Sequence, residues 1–105
     1  MNKSLKFKLD LLLDRYEELG ALLSDADVIS DQNRFRSYSK EYADIEPVVI
    51  CFRQFESQSS ELEDAQAMLK DPDDDIREMA EMELGELDNS LKILDSRLQN
   101  LLLPK

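Results

Sequence analysis

The chain has 105 residues and a formal net charge of −11, because 24 aspartates and glutamates outnumber 13 lysines and arginines. That charge disfavours non-specific binding to a nucleic-acid backbone or to an anionic membrane surface. The sequence contains no histidine and a single cysteine, Cys51, which excludes nucleophile–base pairs built on imidazole and zinc sites of the Cys/His type.

The cellular setting is predicted from the single thiol and from hydropathy. Cys51 has no partner for an intrachain disulfide, so a reducing cytoplasm is the simplest location. The N-terminus has no apolar stretch long enough for a signal peptide, and no apolar run reaches the roughly 18 residues that a membrane span needs. We expect one small cytoplasmic domain with no membrane partner.

The first predicted helix covers residues 4–24. Apolar side chains recur at steps of three and four residues, which places them on one face of a helix. These residues are Leu5, Leu9, Leu12, Tyr16, Leu19 and Leu23. Ser4 is the expected N-cap, and residues 25–27 follow as a polar break.

The second predicted helix covers residues 31–70 and begins near Ser30 or Asp31, which are both good N-cap residues. Its apolar stripe consists of Phe35, Tyr38, Tyr42, Ile45, Val49 and Phe52, and it resumes at Phe55. Pro47 lacks the N–H that would bond back to residue 43, so a kink or a short break is expected there. Helical periodicity on both sides of Pro47 favours the kink.

The third predicted helix covers residues 72–103 and stops before Pro104. Asp71 is its expected cap and Pro72 its first residue, and aspartates at 73–75 fill the first turn, where the helix dipole favours negative charge. The short turn between two long helices predicts an antiparallel hairpin with coiled-coil packing. The predicted fold is therefore all-α, an elongated three-helix antiparallel bundle in which residues 1–105 form a single domain.

The sequence offers no candidate for a metal, cofactor or catalytic site. A helix–loop–helix calcium loop that began at Asp71 would need Gly and Glu at its sixth and twelfth positions, which are occupied by Ile76 and Met82. Helix capping explains the aspartates better. Gly20 and Gly85 are isolated, so no phosphate-binding loop is present; Gly85 marks either a close helix approach or a tolerated weak point.

A small basic island lies near the start of the second helix. It consists of Arg34, Arg36 and Lys40, at the end of a helix where cations oppose the dipole. The island is either a contact for RNA or an acidic partner or a solvated face, and the composition favours the solvated face.

Three separated segments resemble the N-terminal helical domain of bacterial peptide chain release factors of type 1. They are residues 31–49 (DQNRFRSYSKEYADIEPVV), 65–84 (AQAMLKDPDDDIREMAEMEL) and 101–105 (LLLPK). They occur in the family's order, and the similarity covers essentially the whole chain. Type 2 relatives usually carry a tryptophan-containing segment ahead of the long helix, and this chain has no tryptophan.

The resemblance implies that the chain is the N-terminal part of a longer factor whose other domains read the stop codon and carry a Gly-Gly-Gln loop. This sequence contains no Gly-Gly pair, so no catalytic, cofactor-binding or metal-binding residue carries over to it. The parent would direct termination at UAA and UAG by promoting peptidyl-tRNA hydrolysis on the ribosome, and it is expected to be methylated. The implied partners are the base of the large-subunit stalk and the remaining domains of the factor, without sequence-specific nucleic-acid binding by this chain.

We predict that the turn between the second and third helices is the contact surface for the ribosome. A helical hairpin exposes its turn, and this one is strongly acidic. Its residues are Lys70, Asp71, Asp73, Asp74 and Asp75. The alternative is a self-standing acidic coiled-coil adaptor or oligomerisation module, whose apolar stripes would join copies of the chain. An enzyme is the least supported class, since no spacing of carboxylates indicates an acid–base pair in a pocket.

Overall fold

The computed structural model describes residues 1–104, and this part of the chain is all-α with no strand. Its elements are α1 (Lys3–Leu22), α2 (Ala26–Ile29), α3 (Gln32–Met68) and α4 (Asp74–Leu101). The predicted class and the three long helices are confirmed. No helix among the described residues is long and apolar enough to cross a membrane.

The polar break predicted at residues 25–27 is partly wrong, because the four-residue helix α2 begins at Ala26 and only Asp25 stays outside a helix. Asp25 has an extended backbone and its side chain accepts a hydrogen bond from the N–H of Asp27, which caps the turn. Val28 is 1% exposed. A cap and one buried apolar side chain suffice for a single helical turn, although no periodicity is visible over so few residues.

The predicted caps are partly wrong. Ser4 lies inside α1, and the cap is Asn2, whose Oδ1 accepts a hydrogen bond from the N–H of Leu5 at 2.7 Å. For α3, Asp31 is confirmed, since its Oδ1 accepts from the N–H of Arg34 at 3.2 Å. Pro72 precedes α4 instead of opening it, because Asp73 and not Asp71 is the N-cap.

Helix α3 continues through Pro47 without a break. The helix loses one backbone hydrogen bond at this residue, because proline has no N–H to donate. The bonds on either side keep the chain helical from Gln32 to Met68. The kink expected from the missing bond stays a prediction.

The chain divides into two compact units, the first of which is Met1–Ile50. In this unit α1 packs beside the first part of α3, and the cluster at its centre consists of Leu19, Ile45 and Val49. Partly buried side chains surround that cluster: Leu12, Leu13, Tyr16, Leu22, Tyr38 and Tyr42. The apolar stripes predicted for α1 and α3 therefore meet each other.

The second unit begins at Cys51 and contains the rest of α3, the turn and α4. The thiol of Cys51 donates to the carbonyl oxygen of Leu94 at 3.7 Å, so the middle of α3 lies beside the last third of α4. With a five-residue connection between the helices, this contact requires an antiparallel hairpin, as predicted. The buried side chains of this unit are Cys51, Phe52, Ala65, Ala80, Leu87, Leu94 and Leu98.

Gly85 lies in the middle of α4, and a Cβ added there would meet none of the described atoms within 4 Å. Of the two explanations for this glycine, a close helix approach is therefore wrong, and the tolerated weak point stays a prediction. Its backbone is helical and does not have positive φ.

We expect Gly85→Ala to raise the free energy of unfolding by about 1 kcal/mol and the melting temperature by about 4–8 °C. Alanine gains helix propensity and restricts the unfolded chain without meeting a neighbour. Thermal and urea melts followed by circular dichroism measure the change. Gly20→Ala is a comparison in which the new Cβ would lie 3.8 Å from Cε2 of Tyr42; an unchanged or lower stability of Gly85→Ala contradicts the prediction.

Candidate contact surface

The structure places all five residues of the predicted contact surface in the turn between α3 and α4 and at the start of α4. Lys70, Asp73, Asp74 and Asp75 are exposed, and Asp71 is half-buried. The last turn of α3 closes with bonds to carbonyls three residues back, including Asp71 N–H to Met68 O at 3.1 Å. These tighter bonds end α3 at Met68, and the acidic residues begin three positions later at Asp71.

Two of the aspartates bind the backbone of the turn itself. Oδ1 of Asp71 accepts from the N–H of Asp73 at 2.9 Å, and Oδ1 of Asp73 accepts from the N–H of Asp75 at 2.9 Å. The first bond closes a turn around Pro72. The second satisfies one of the N–H groups that a helix start leaves unpaired. These two carboxylates have a structural role.

Arg77 holds the turn together, and it was missed by the sequence analysis. Its Nη1 donates to the carbonyl oxygen of Asp71 at 2.6 Å, and its guanidinium forms an ion pair with Asp74 three residues earlier. The available signal was the i, i+3 spacing of Asp74 and Arg77 on one helix. The contact to a carbonyl outside the helix has no sequence signal.

The outward charge of the turn resides mainly in Asp74 and Asp75. The Asp74 side chain is 89% exposed although it pairs with Arg77, and Asp75 is exposed in the first turn of α4. No group of three or more acidic, cysteine or histidine side chains among residues 1–104 is arranged to hold a metal ion. The surface can accept hydrogen bonds from a cationic partner.

A second polar network joins α1 to α3 in the first unit. Arg15 binds Glu41 with two bonds, Nε to Oε2 at 2.6 Å and Nη2 to Oε1 at 2.8 Å. Arg15 also pairs with Glu18 on its own helix, and its guanidinium lies 5.8 Å from the ring centre of Tyr38. This two-bond geometry fixes the side-by-side position of the two helices.

Two tyrosines extend this network. The rings of Tyr16 and Tyr42 stack with centroids 4.2 Å apart, and the Tyr16 hydroxyl donates to Oε2 of Glu46 at 3.1 Å. The hydrogen bond with Tyr42, burial and the bond to Glu46 raise the pKa of Tyr16. The bonds from Arg15 lower the pKa of Glu41 against the opposing effect of burial. Both shifts arise from contacts between helices, so the network is structural.

We expect Asp73→Ala to lower the free energy of unfolding by about 1 kcal/mol, because the N–H of Asp75 loses its acceptor. Asp73→Asn retains a side-chain oxygen at the same position and should stay within a few tenths of a kcal/mol of the wild type. Urea unfolding at neutral pH measures both variants. Equal losses for the two variants would show that the charge of Asp73, and not its hydrogen bond, stabilises α4.

The Arg15–Glu41 pair should make the stability of the fold depend on acid pH. Because folding lowers the pKa of Glu41, its contribution is complete above the unfolded value of about 4.3 and is lost as pH falls through the lower folded value. Glu41→Gln should therefore destabilise the chain at pH 7 more than at pH 3. The effect is small, since the two side chains are 35% and 39% exposed.

Arg15→Gln is the matched variant for that measurement. It should weaken the same pH dependence, and the double variant should lose little more than Arg15→Gln alone, because that substitution has already broken the pair with Glu41. Urea midpoints at pH 7 and pH 3 provide the comparison. Additive losses in the double variant are incompatible with a direct interaction between the two side chains.

A comparison with known protein families identifies the chain. Residues 12–105 match the family described as the PCRF domain. The match includes most of α1, all of α2, α3 and α4, and the acidic turn between the last two helices. It gives no support to a self-standing adaptor. The chain belongs to the PCRF domain family and is a member of the peptide chain release factors, the proteins of translation termination.

Proposed function

We propose that this chain is the N-terminal docking domain of a type 1 release factor and that it helps to place the factor on the ribosome at UAA and UAG codons. The observation that carries the proposal is the family match over residues 12–105. The type 1 assignment is supported by the resemblance of residues 31–49 and by the absence of tryptophan from the sequence.

We propose a division of labour within the factor, which the chemistry of this chain supports. Peptidyl-tRNA hydrolysis needs a positioned water and stabilisation of the developing oxyanion. The sequence has no histidine and no Gly-Gly-Gln loop, and its acidic turn is an exposed surface. In this proposal, other domains of a longer cytoplasmic factor carry codon reading and catalysis, while residues 1–105 supply contacts that orient the factor.

The turn between α3 and α4 is the proposed ribosomal contact, facing the base of the large-subunit stalk. Asp71 and Asp73 bind the backbone, so they preserve the shape of the turn. Asp74, Asp75 and the exposed Lys70 provide the groups that a partner can reach. Charges at such exposed positions affect the association rate more than the lifetime of a complex.

The test replaces Asp74 and Asp75 together with asparagine in the full-length factor and leaves the capping residue Asp73 intact. We expect the association rate with ribosomes that present UAA or UAG to fall severalfold at low salt, because two charges that attract a cationic partner are removed. Stopped-flow fluorescence with labelled ribosomes measures the rate, and the difference should shrink as ionic strength rises.

The matched control for this test is Asp14→Asn with Glu17→Gln, which changes the net charge equally at exposed positions of α1. The control should associate at the wild-type rate. Equal slowing in both double variants would assign the effect to net charge. An unchanged rate in the Asp74 and Asp75 variant would remove the turn from the ribosomal contact.

A further inference from the structure

The basic island of α3 borders a hollow with exposed apolar side chains, which the acidic composition of the chain does not indicate. A shallow hollow of about 350 Å³ lies between α2 and the start of α3. It is lined by Ile29, Gln32, Phe35, Arg36 and Ser39. Ile29 is 54% exposed and Phe35 is 39% exposed. We name this hollow, together with Arg34 and Lys40, the basic face.

Cations surround the exposed ring of the basic face. Successive residues of a helix project about 100° apart, so Arg34 and Arg36 lie on opposite sides of Phe35. Lys40 follows Arg36 by four residues and lies on the same side of the helix. All three cations are exposed, and residues 32–40 contain no acidic side chain.

The three cations of the basic face have no ion-pair partner within 4.0 Å among residues 1–104, although the chain has 24 acidic residues. By contrast, Arg15, Arg77 and Lys92 are each bound to a carboxylate. The nearest acids in sequence are already engaged, since Asp31 caps α3 and Glu41 binds Arg15. The positive charge of the basic face therefore remains available to an external anion.

We propose that the basic face binds single-stranded RNA, with a base stacked on Phe35 and adjacent phosphates bound by Arg34, Arg36 and Lys40. An aromatic ring between cations matches the alternation of bases and phosphates in an unpaired strand. The choice of RNA over an acidic peptide also rests on the proposed ribosomal function, because ribosomes expose unpaired RNA. All of the chain's acids lie outside residues 32–40, and salt screens charges beyond about 10 Å at 0.1 M.

Fluorescence anisotropy with a labelled single-stranded RNA of about 12 nucleotides and mixed sequence tests the proposal on the 105-residue chain. One variant combines Arg34→Gln, Arg36→Gln and Lys40→Gln. We expect its affinity to fall at least tenfold at low salt, and the slope of log affinity against log salt to lose about 2, at roughly 0.7 per phosphate contact.

Two further variants separate local contacts from general effects. Lys3→Gln, Lys6→Gln and Lys8→Gln together remove the same charge from exposed positions of α1, and this control should lose much less affinity than the variant of the basic face. Phe35→Leu keeps an apolar side chain without the ring, and RNA affinity should fall roughly fivefold or more. Circular dichroism confirms that each variant remains helical.

Each contrary result overturns the proposal. One such result is the absence of RNA binding by the wild type at low salt, and another is unchanged affinity in Phe35→Leu. The proposal is also overturned if the triple variant of the basic face and the triple lysine control lose the same affinity, or if poly-glutamate binds as tightly as RNA. The last result would favour an acidic protein partner. The assay contains no ribosome, so failure of the proposed contact at Asp74 and Asp75 leaves its readout unaffected.

Discussion

The burial of one side of α3 is the constraint on which the rest of the structure depends. This helix is 37 residues long and contains a proline, and a helix in water gains most of its stability from packing rather than from propensity. In the first unit its apolar side chains meet those of α1, and in the second unit it lies beside α4. Both connections to this helix are short, since the segment with α2 leads from α1 into α3 and the acidic turn leads from α3 into α4.

The charges of the chain fall into two groups with different roles. Arg15 and Arg77 bind specific partners, Glu41 across two helices and the Asp71 carbonyl across a turn. Such exposed bonds add little free energy, but their geometry fixes a helix pair and a loop. Among the other exposed charges, one group of acids lies around Asp74 and one group of cations lies around Phe35. A strongly acidic protein can therefore present two surfaces of opposite sign.

The long helices were predictable because steps of three and four residues recur over many turns, as from Leu84 to Leu101 in α4. Helix α2 was not, because a single turn stabilised by the burial of Val28 has no period. The start of α4 was misplaced because several aspartates can each serve as a cap. The selection of Asp73 depends on the bond from Asp71 to its backbone and on the reach of Arg77. The position of the acidic turn was predicted correctly. Which of its carboxylates bind the backbone and which are exposed was not, because the sequence does not specify the hydrogen bonds within the turn.

The buried thiol has a practical consequence for work in solution. Cys51 is 3% exposed, and burial raises its pKa despite the nearby positive charge of Arg97. The raised pKa keeps the fraction of thiolate low, and burial keeps reagents away from the sulfur. The thiolate is the species that reacts with maleimides and iodoacetamides. A cysteine introduced on the surface can thus be labelled selectively without first replacing the native one. The slow rate at which Cys51 itself is modified would then measure how often α3 and α4 separate in the second unit. This side chain is therefore a built-in probe of local unfolding.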